Sequence, residues 1–410
     1  MTFYDARETR DPGERERDLL ARLPHHVARA RSATAHYAKL LAGVDPRTVA
    51  SRAALAALPV TRKSQLLDLQ KGEPPFGGLN ATPIANVARI FMSPGPIYEP
   101  EGRAPDYWRS ARALHAAGFR AGDVALNCFS YHFSPAASMF ETGLHRLGCA
   151  VIPAGTGQTE LQAKAIHDLR PAGYVGTPSF IKIILEKSDE LGLAADSLKR
   201  AVVSGEAFLP PVRDFLARRG LEAFQSYGTA ELGIIGYETE AHEGLVIDEE
   251  LIVEIVRPGT GDPVAEGEVG EVVVTTFSVD YPLVRFATGD LSAVLQGRSP
   301  CGRTNMRIKG WLGRADQTTK VRGLFVHPEQ VAEVLRRHSL ARARLVVEND
   351  DGEDRMTLNV EQPTGAHGAL AEAVGASLRD VTKLRGEVRF VERGTLPNDG
   401  RVIEDKREYR

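Results

Sequence analysis

The sequence predicts an α/β protein, with a large N-terminal domain of parallel and mixed sheets and a small α+β C-terminal domain. Three observations carry this. From about residue 110 onward, short apolar runs alternate with helix-period stretches, the pattern of strand-crossover-strand units. After residue 244, β-branched runs flank the turn-forming stretch PGTGDPVAEGEVG, which reads as antiparallel strands. A charged segment bounded by Gly313 and Gly323 then precedes a last, shorter helix-and-strand region. At 410 residues the chain is too long for one small core, and length alone suggests two or three domains. The expected division is residues 1–313, with a β-rich subdomain at about 245–313, and residues 314–410.

In chain order, Gly13 to Val44 carries apolar residues at helical spacing, with Pro24 expected to bend or divide the run. Short helices are expected at Ala53–Leu58 and Ser64–Leu69. Helix Trp108–Ala117 precedes strand Asp123–Cys128, and helix Pro135–Leu147 precedes strand Cys149–Pro153. Helix Gln162–Leu169 leads to strands at Gly173–Gly176 and Leu198–Ser204. Strands follow at Leu251–Val256 and Glu271–Thr276. The last region reads as a βαββα-like domain: helix Pro328–Arg337, strands Arg342–Val347 and Arg355–Val360, and helix Ala369–Leu384.

Composition excludes several function classes. Net charge is −3, so there is no electrostatic reason to expect a nucleic-acid or anionic-membrane partner. Cys128, Cys149 and Cys301 are scattered, without the CxxC pairs of a zinc ribbon and without a disulfide framework. The first twenty residues are charged and lack the apolar core of a signal peptide, and no stretch approaches a membrane span. A reducing, cytoplasmic location is the expectation.

Four short motifs are candidates for chemistry. In Gln225-Ser226-Tyr227-Gly228-Thr229-Ala230-Glu231, an aromatic can stack on a base and Gly228 permits close backbone approach. Thr229 can bond a phosphate oxygen and Glu231 can hold Mg2+. A plain turn with Thr229 capping a helix is the alternative. In Arg285-Phe286-Ala287-Thr288-Gly289-Asp290, a carboxylate at a strand end suits the two hydroxyls of a ribose; a simple turn is the alternative. The segment from Gly313 to Gly323 reads as an interdomain linker or a charged hairpin. Ser204-Gly205-Glu206 follows an apolar strand, where open α/β sheets bind ligands, or is a simple connection.

In this order and spacing the motifs resemble the adenylate-forming superfamily of acyl-CoA synthetases, most closely its phenylacetate–CoA ligase branch, from about residue 30 to the end. Pro59-Val60-Thr61-Arg62-Lys63 resembles that branch's Leu-Pro-x-Thr-x-Lys segment. Gly148-Cys149-Ala150-Val151-Ile152-Pro153, then Gly155, Thr159 and Gln162, resembles its Leu-Gly-Ala and Val-Ile-Pro stretch. The resemblance implies that a carboxylic acid is joined to AMP with release of pyrophosphate, and that a thiol, usually coenzyme A, then displaces AMP. It implies ATP, Mg2+ and coenzyme A as co-substrates. By resemblance, Ser204, Gly205 and Glu206 border adenine, Tyr227 with Gly228 stacks near it, and Thr229 touches the α-phosphate. Glu231 helps bind Mg2+, Asp290 takes the ribose hydroxyls and Arg314 lies near the nucleotide. Asp316 is the hinge, and Lys320, Arg322 and Gly323 face coenzyme A. Phe129, Tyr131, His132, Phe133 and Pro135 match the branch's acyl-pocket stretch, with core packing as the alternative; aromatic walls suit an aryl acid.

Two positions depart from the branch pattern. The phosphate loop aligns with Ser93-Pro94-Gly95-Pro96-Ile97-Tyr98-Glu99-Pro100. It keeps Ser93 and Gly95 but carries Glu99 where a Lys is usual. Near the C-terminus, Leu396-Pro397-Asn398-Asp399-Gly400-Arg401 places Arg401 at the adenylating Lys position, and Lys406 reads as a solvated terminal charge. Cys301 keeps one ligand of the zinc site some members carry, so no zinc is expected, and His242 reads as a surface residue. The leading expectation is an ATP-dependent acyl- or aryl-CoA ligase, with a homodimer left open. The alternatives are a degenerate homologue that binds nucleotide or acyl-CoA without adenylating, and a ligase whose acceptor is a carrier protein or an amine.

Overall fold

The structure, a computed structural model, describes residues 2–315, 317, 319–321, 324–350, 353–362 and 368–407. These divide into two compact units: Met1–Val253 with Val274–Phe286 and Leu295–Trp311, and Glu254–Val273 with Ala287–Val294 and Leu312–Arg410. The β-rich stretch expected at 245–313 is thus split between the two units rather than kept whole. Among the described residues, no helix is long and apolar enough to cross a membrane.

The first unit opens with helix α1 (Pro12–Ala33), capped by the Asp11 carboxylate, which accepts from Glu14 N at 2.9 Å. Pro12 at the first turn costs no hydrogen bond. The helix runs unbroken through Pro24, which corrects the expected division there. The break comes at Thr34, whose hydroxyl caps the short helix Ala35–Leu40 at Tyr37 N.

A hairpin follows, β1 (Arg89–Ser93) and β2 (Ile97–Glu101), with Ser93 opposite Ile97. The segment aligned with the phosphate loop is therefore a strand pair with a three-residue turn, Pro94-Gly95-Pro96. Gly95 has φ +142° at its tip, a value L side chains rarely adopt.

The main sheet contains β3 (Val124–Asn127), β4 (Ala150–Pro153), β5 (Gly173–Gly176), β6 (Arg200–Val203) and β7 (Glu222–Thr229). These are parallel in the order β4-β3-β5-β6-β7. Antiparallel β8 (Gly233–Tyr237) and β9 (Leu245–Ile247) extend it. Helices α2 (Ser110–Ala116), α3 (Ala136–Leu147), α4 (Thr159–Leu169), α5 (Pro178–Glu190) and α6 (Pro210–Arg218) lie between strands in sequence or precede them. Side chains alternate across the sheet. Ala125, Val175, Val202 and Phe224 pack with Leu114, Phe140 and Leu144 from α2 and α3. Their neighbours Leu126, Tyr174, Ala201 and Ala223 pack with Ile181, Leu185 and Leu216 from α5 and α6. The sheet is covered on both faces, as parallel strands require. Because the chain runs outward from β3 to β4 and then returns to β5, a switch point opens at the carboxyl ends of β3 and β5, where such sheets bind ligands.

The second unit contains hairpin β10 (Thr319–Val321) and β11 (Leu324–Val326), helix α7 (Pro328–Arg337), strands β12 (Ala343–Asp350) and β13 (Glu353–Glu361), and helix α8 (Gly368–Thr382). Gln330 Oε1 closes the first turn of α7 by accepting from His327 N at 2.9 Å. Two further strands, Glu387–Val391 and Ile403–Asp405, pair parallel with β13 and β12. They complete a four-stranded sheet and correct the simpler βαββα expectation. Leu345, Val347, Leu358 and Val360 of this sheet pack with Val331, Val334, Val374 and Leu378 of the two helices.

Candidate active site

In the first unit the expected ligand-facing motifs sit at the carboxyl ends of the parallel strands. Ser204, after β6, donates from Oγ to Ser226 O at 2.9 Å, tying the β6 and β7 ends together. Gly205 has φ +84°, and a Cβ there would stand 3.8 Å from the Phe129 ring and 3.7 Å from Thr177. Glu206 accepts from Ser179 N at 2.6 Å, in the first turn of α5.

The aromatic stretch after β3 divides in character. Phe129 is buried and stacks on Phe140 with centroids 5.0 Å apart, so it is core. Tyr131 is 39% exposed and donates to Glu141 at 2.5 Å. Burial and that carboxylate push its phenol well up. His132 is exposed, and Phe133 is 70% exposed. Phe133 has φ +56°, and its carbonyl accepts from Met92 N in the hairpin at 2.9 Å. Three of the four aromatic positions therefore escape the core-packing alternative.

β7 ends at Thr229 and the chain returns as antiparallel β8, so Thr229 does not cap a helix. Its hydroxyl accepts from Leu232 N at 3.3 Å. A bulge falls between Tyr227 and Gly228, where a Cβ would meet Gly233 O at 2.5 Å; only glycine permits this turn. Tyr227 is buried. The turn places Glu231, with a fully buried side chain, against Lys63 Nζ at 2.8 Å from Oε1 and 3.1 Å from Oε2.

Lys63 is the functional candidate that sequence reading missed. Its segment is pinned from behind by Arg285, which is fully buried and donates to Ala56 O and Leu58 O at 2.7 and 2.6 Å. The Arg285 carbonyl in turn accepts from Thr61 N at 3.1 Å. The signal was the Leu-Pro-x-Thr-x-Lys likeness, but nothing local announces a partner 168 residues away.

Glu99, the carboxylate in the aligned phosphate loop, points inward. It is fully buried and accepts from Ser93 Oγ at 2.5 Å and Ser93 N at 3.3 Å. The Ser93 hydroxyl is committed to it. Burial, and then the Glu231 charge, push the Glu99 carboxyl up to about 8. A raised folded-state value means stability that is complete below the ordinary value and lost as pH rises through about 8. We expect Glu99→Gln, which stays neutral and hydrogen-bonded, to flatten the fall in Tm between pH 5 and 8. The removed penalty is on the order of a few kcal/mol. Parallel Tm–pH curves for the two proteins would contradict this.

In the second unit, two motifs meet. Asp290 and Arg314 form a β-bridge, and Arg314 Nη1 donates to Asp290 Oδ1 at 2.8 Å. Gly289 has φ +75°, and a Cβ there would lie 2.7 Å from the Arg314 guanidinium. Gly313 O and Gly289 O accept from Leu291 N and Ala315 N at 2.9 and 2.7 Å. Lys320 pairs with Phe325 across the β10–β11 hairpin. The expected hinge Asp316, together with Arg322 and Gly323, lies outside the described residues. Arg401 is exposed, with its backbone N donating to Asp399 Oδ1 at 3.0 Å. Lys406 is exposed and 3.9 Å from Glu348, and His242 is exposed against Phe224.

The sequence pattern of the AMP-binding enzymes matches residues 106–279. The phenylacetate-coenzyme A ligase of Aromatoleum evansii is 31% identical over 94% of this chain and 93% of its own length. That of Thermus thermophilus is 33% identical over 77% of this chain and 73% of its own. Among solved structures, the open conformation of a 2-hydroxyisobutyryl-CoA ligase, in complex with 2-HIB-AMP and CoA, superposes with a TM-score of 0.73 at 24% identity. It covers 97% of this chain and 93% of that one. The thioesterification state of that ligase gives 0.71 at 25% identity, covering 98% and 92%.

Proposed function

Since the chain belongs to the phenylacetate–CoA ligase family of AMP-binding enzymes, we propose that it activates a carboxylic acid with ATP and passes the acyl group to coenzyme A. The observation that carries this is the match to a curated relative over 94% of this chain, combined with the Tyr227–Glu231 turn, which sets a buried carboxylate against Lys63 at 2.8 Å. In the first half-reaction a substrate carboxylate oxygen bonds to the α-phosphorus, and the bond from that phosphorus to the bridging oxygen breaks, releasing pyrophosphate. In the second, the thiol sulfur attacks the acyl carbon, AMP departs and the thiol proton is lost. The substrate supplies the first nucleophile, so the protein's work is positioning and charge stabilisation.

Ser204, Gly205 and Glu206 are assigned to adenine, with Tyr227 beside it and Thr229 at the α-phosphate. In the second unit, Asp290 is assigned to the ribose and Arg314 to its orientation, since Arg314 already holds one carboxylate oxygen at 2.8 Å. Ser93 and Gly95 keep the phosphate-loop assignment. Ser93 can serve a phosphate only by exchanging its hydrogen bond with Glu99. Arg401 is assigned the adenylating cation, Asp316 the pivot, and Lys320, Arg322 and Gly323 the coenzyme A side.

Glu231 fits a magnesium ion. Its carboxylate is a buried hard oxygen donor whose present partner is the Lys63 ammonium, and magnesium ions take one or two carboxylates plus substrate phosphates. The ion would supply neutralisation of phosphate charge. Lys63 balances Glu231 and keeps a second cation within reach of that carboxylate. The exposed aromatics Tyr131 and Phe133, which follow the stacked Phe129 in the chain, support an aryl acid as substrate. A panel of aryl and small aliphatic acids, incubated with ATP, Mg2+ and coenzyme A, is expected to give an aryl thioester detectable by mass. Binding of AMP or coenzyme A without any thioester would point to a non-adenylating homologue instead.

A further inference from the structure

A cavity lies wholly within the second unit, lined by Arg257, Arg342 and Arg401 around a floor that includes Val264 and Leu335. Of these, only Arg401 has a role above. We propose that this cavity binds a phosphate-bearing dianion.

The charge is preorganised and under-compensated. Arg257 donates to Ala341 O, and Arg342 Nη2 donates to Pro397 O at 2.9 Å. Carbonyls fix these heads without neutralising them. Their carboxylate neighbours Glu268 and Glu361 stand at 4.0 and 3.8 Å, beyond hydrogen-bond length. Arg401 has no side-chain hydrogen bond or ion pair among the described residues. Glu268 is the one carboxylate in the lining, and the three guanidiniums still outnumber Glu268 and Glu361 together. Guanidinium forks match phosphate oxygens, and a phosphate monoester carries nearly two negative charges at neutral pH.

Arg401 is held on the cavity wall by its backbone. Gly400 has φ +70°, and a Cβ there would come within 2.7 Å of Val269 Cγ1. Asn398 Oδ1 accepts from Val269 N at 3.1 Å, and Gln317 donates to Gly400 O at 2.9 Å. Free phosphate and the phosphate of a monoester present the same charged chemistry to these guanidiniums.

Titration calorimetry on the full chain, with inorganic phosphate and with adenosine 3′,5′-bisphosphate, tests the site. Saturable binding is expected, weakened about tenfold in Arg342→Gln, the loss of one charge-assisted bond, and tightened several-fold in Glu268→Gln. Glu268→Gln moves affinity in the opposite sense, so a folding defect in Arg342→Gln cannot mimic the pattern. Tighter binding of the bisphosphate assigns an organic phosphate; equal or tighter binding of inorganic phosphate assigns the free anion. No saturation by either up to about 20 mM, or affinities unchanged in both variants, would overturn the proposal.

Discussion

Replacing Glu231 by glutamine is expected to lower acid-dependent pyrophosphate release by roughly 10²–10³-fold, the effect of removing one preorganised charge from a transition state. The side chain is fully buried at the turn between β7 and β8, where Gly228 admits no larger residue. Its carboxylate is the hard oxygen donor proposed for the metal, and it balances Lys63 at 2.8 Å. Glutamine keeps the volume but loses both functions and leaves a partly buried ammonium uncompensated. Stability should fall by only about 1–3 kcal/mol, so a folded, inactive protein is the expected outcome. A raised Mg2+ requirement should accompany the loss, which a purely structural role would not produce. A variant that keeps near-normal pyrophosphate release would remove Glu231 from the mechanism.

The second large effect is a split between half-reactions at Arg401. We expect Arg401→Ala to slow acyl-adenylate formation about 10²-fold, the order of one lost phosphate-facing donor. Thioester formation from supplied acyl-AMP should be spared. Arg401→Lys should preserve or raise the first rate, because a compact ammonium on a flexible stem replaces a rigid fork. Gly400 fixes the local backbone by its φ of +70°, so the substituted side chain starts from the same place. Equal loss in both half-reactions would argue against an adenylating role.

How much of this was legible in the sequence differs from element to element. The strands Gly173–Gly176 and Leu251–Val256 and the helix Pro328–Arg337 are found where the apolar runs and the proline placed them. Parallel strands buried on both faces leave a strong apolar signal. The hairpin Arg89–Glu101 was hidden because its second strand, IYEPE, contains a proline and two glutamates. Both carboxylates are buried, Glu99 accepting from Ser93 within the hairpin and Glu101 from Ser138 of α3. The terminal strands Glu387–Val391 and Ile403–Asp405 are short and charged, and the pairing with β12 and β13 makes them strands. At the site, the motifs named the residues but not their partners. Lys63–Glu231 and Arg285–Leu58 join segments far apart in sequence. Glu99, standing where a Lys is usual, turns inward, so its carboxyl is buried and raised rather than presented at the loop.

The central claim is that this chain forms acyl-adenylates, and ATP–pyrophosphate exchange tests it most directly. With the full chain, Mg2+ and a panel of aryl acids, label from pyrophosphate should enter ATP only when a productive acid is present, and Glu231→Gln should abolish the exchange. Exchange absent with every acid, or present without acid and unchanged in Glu231→Gln, would contradict the account.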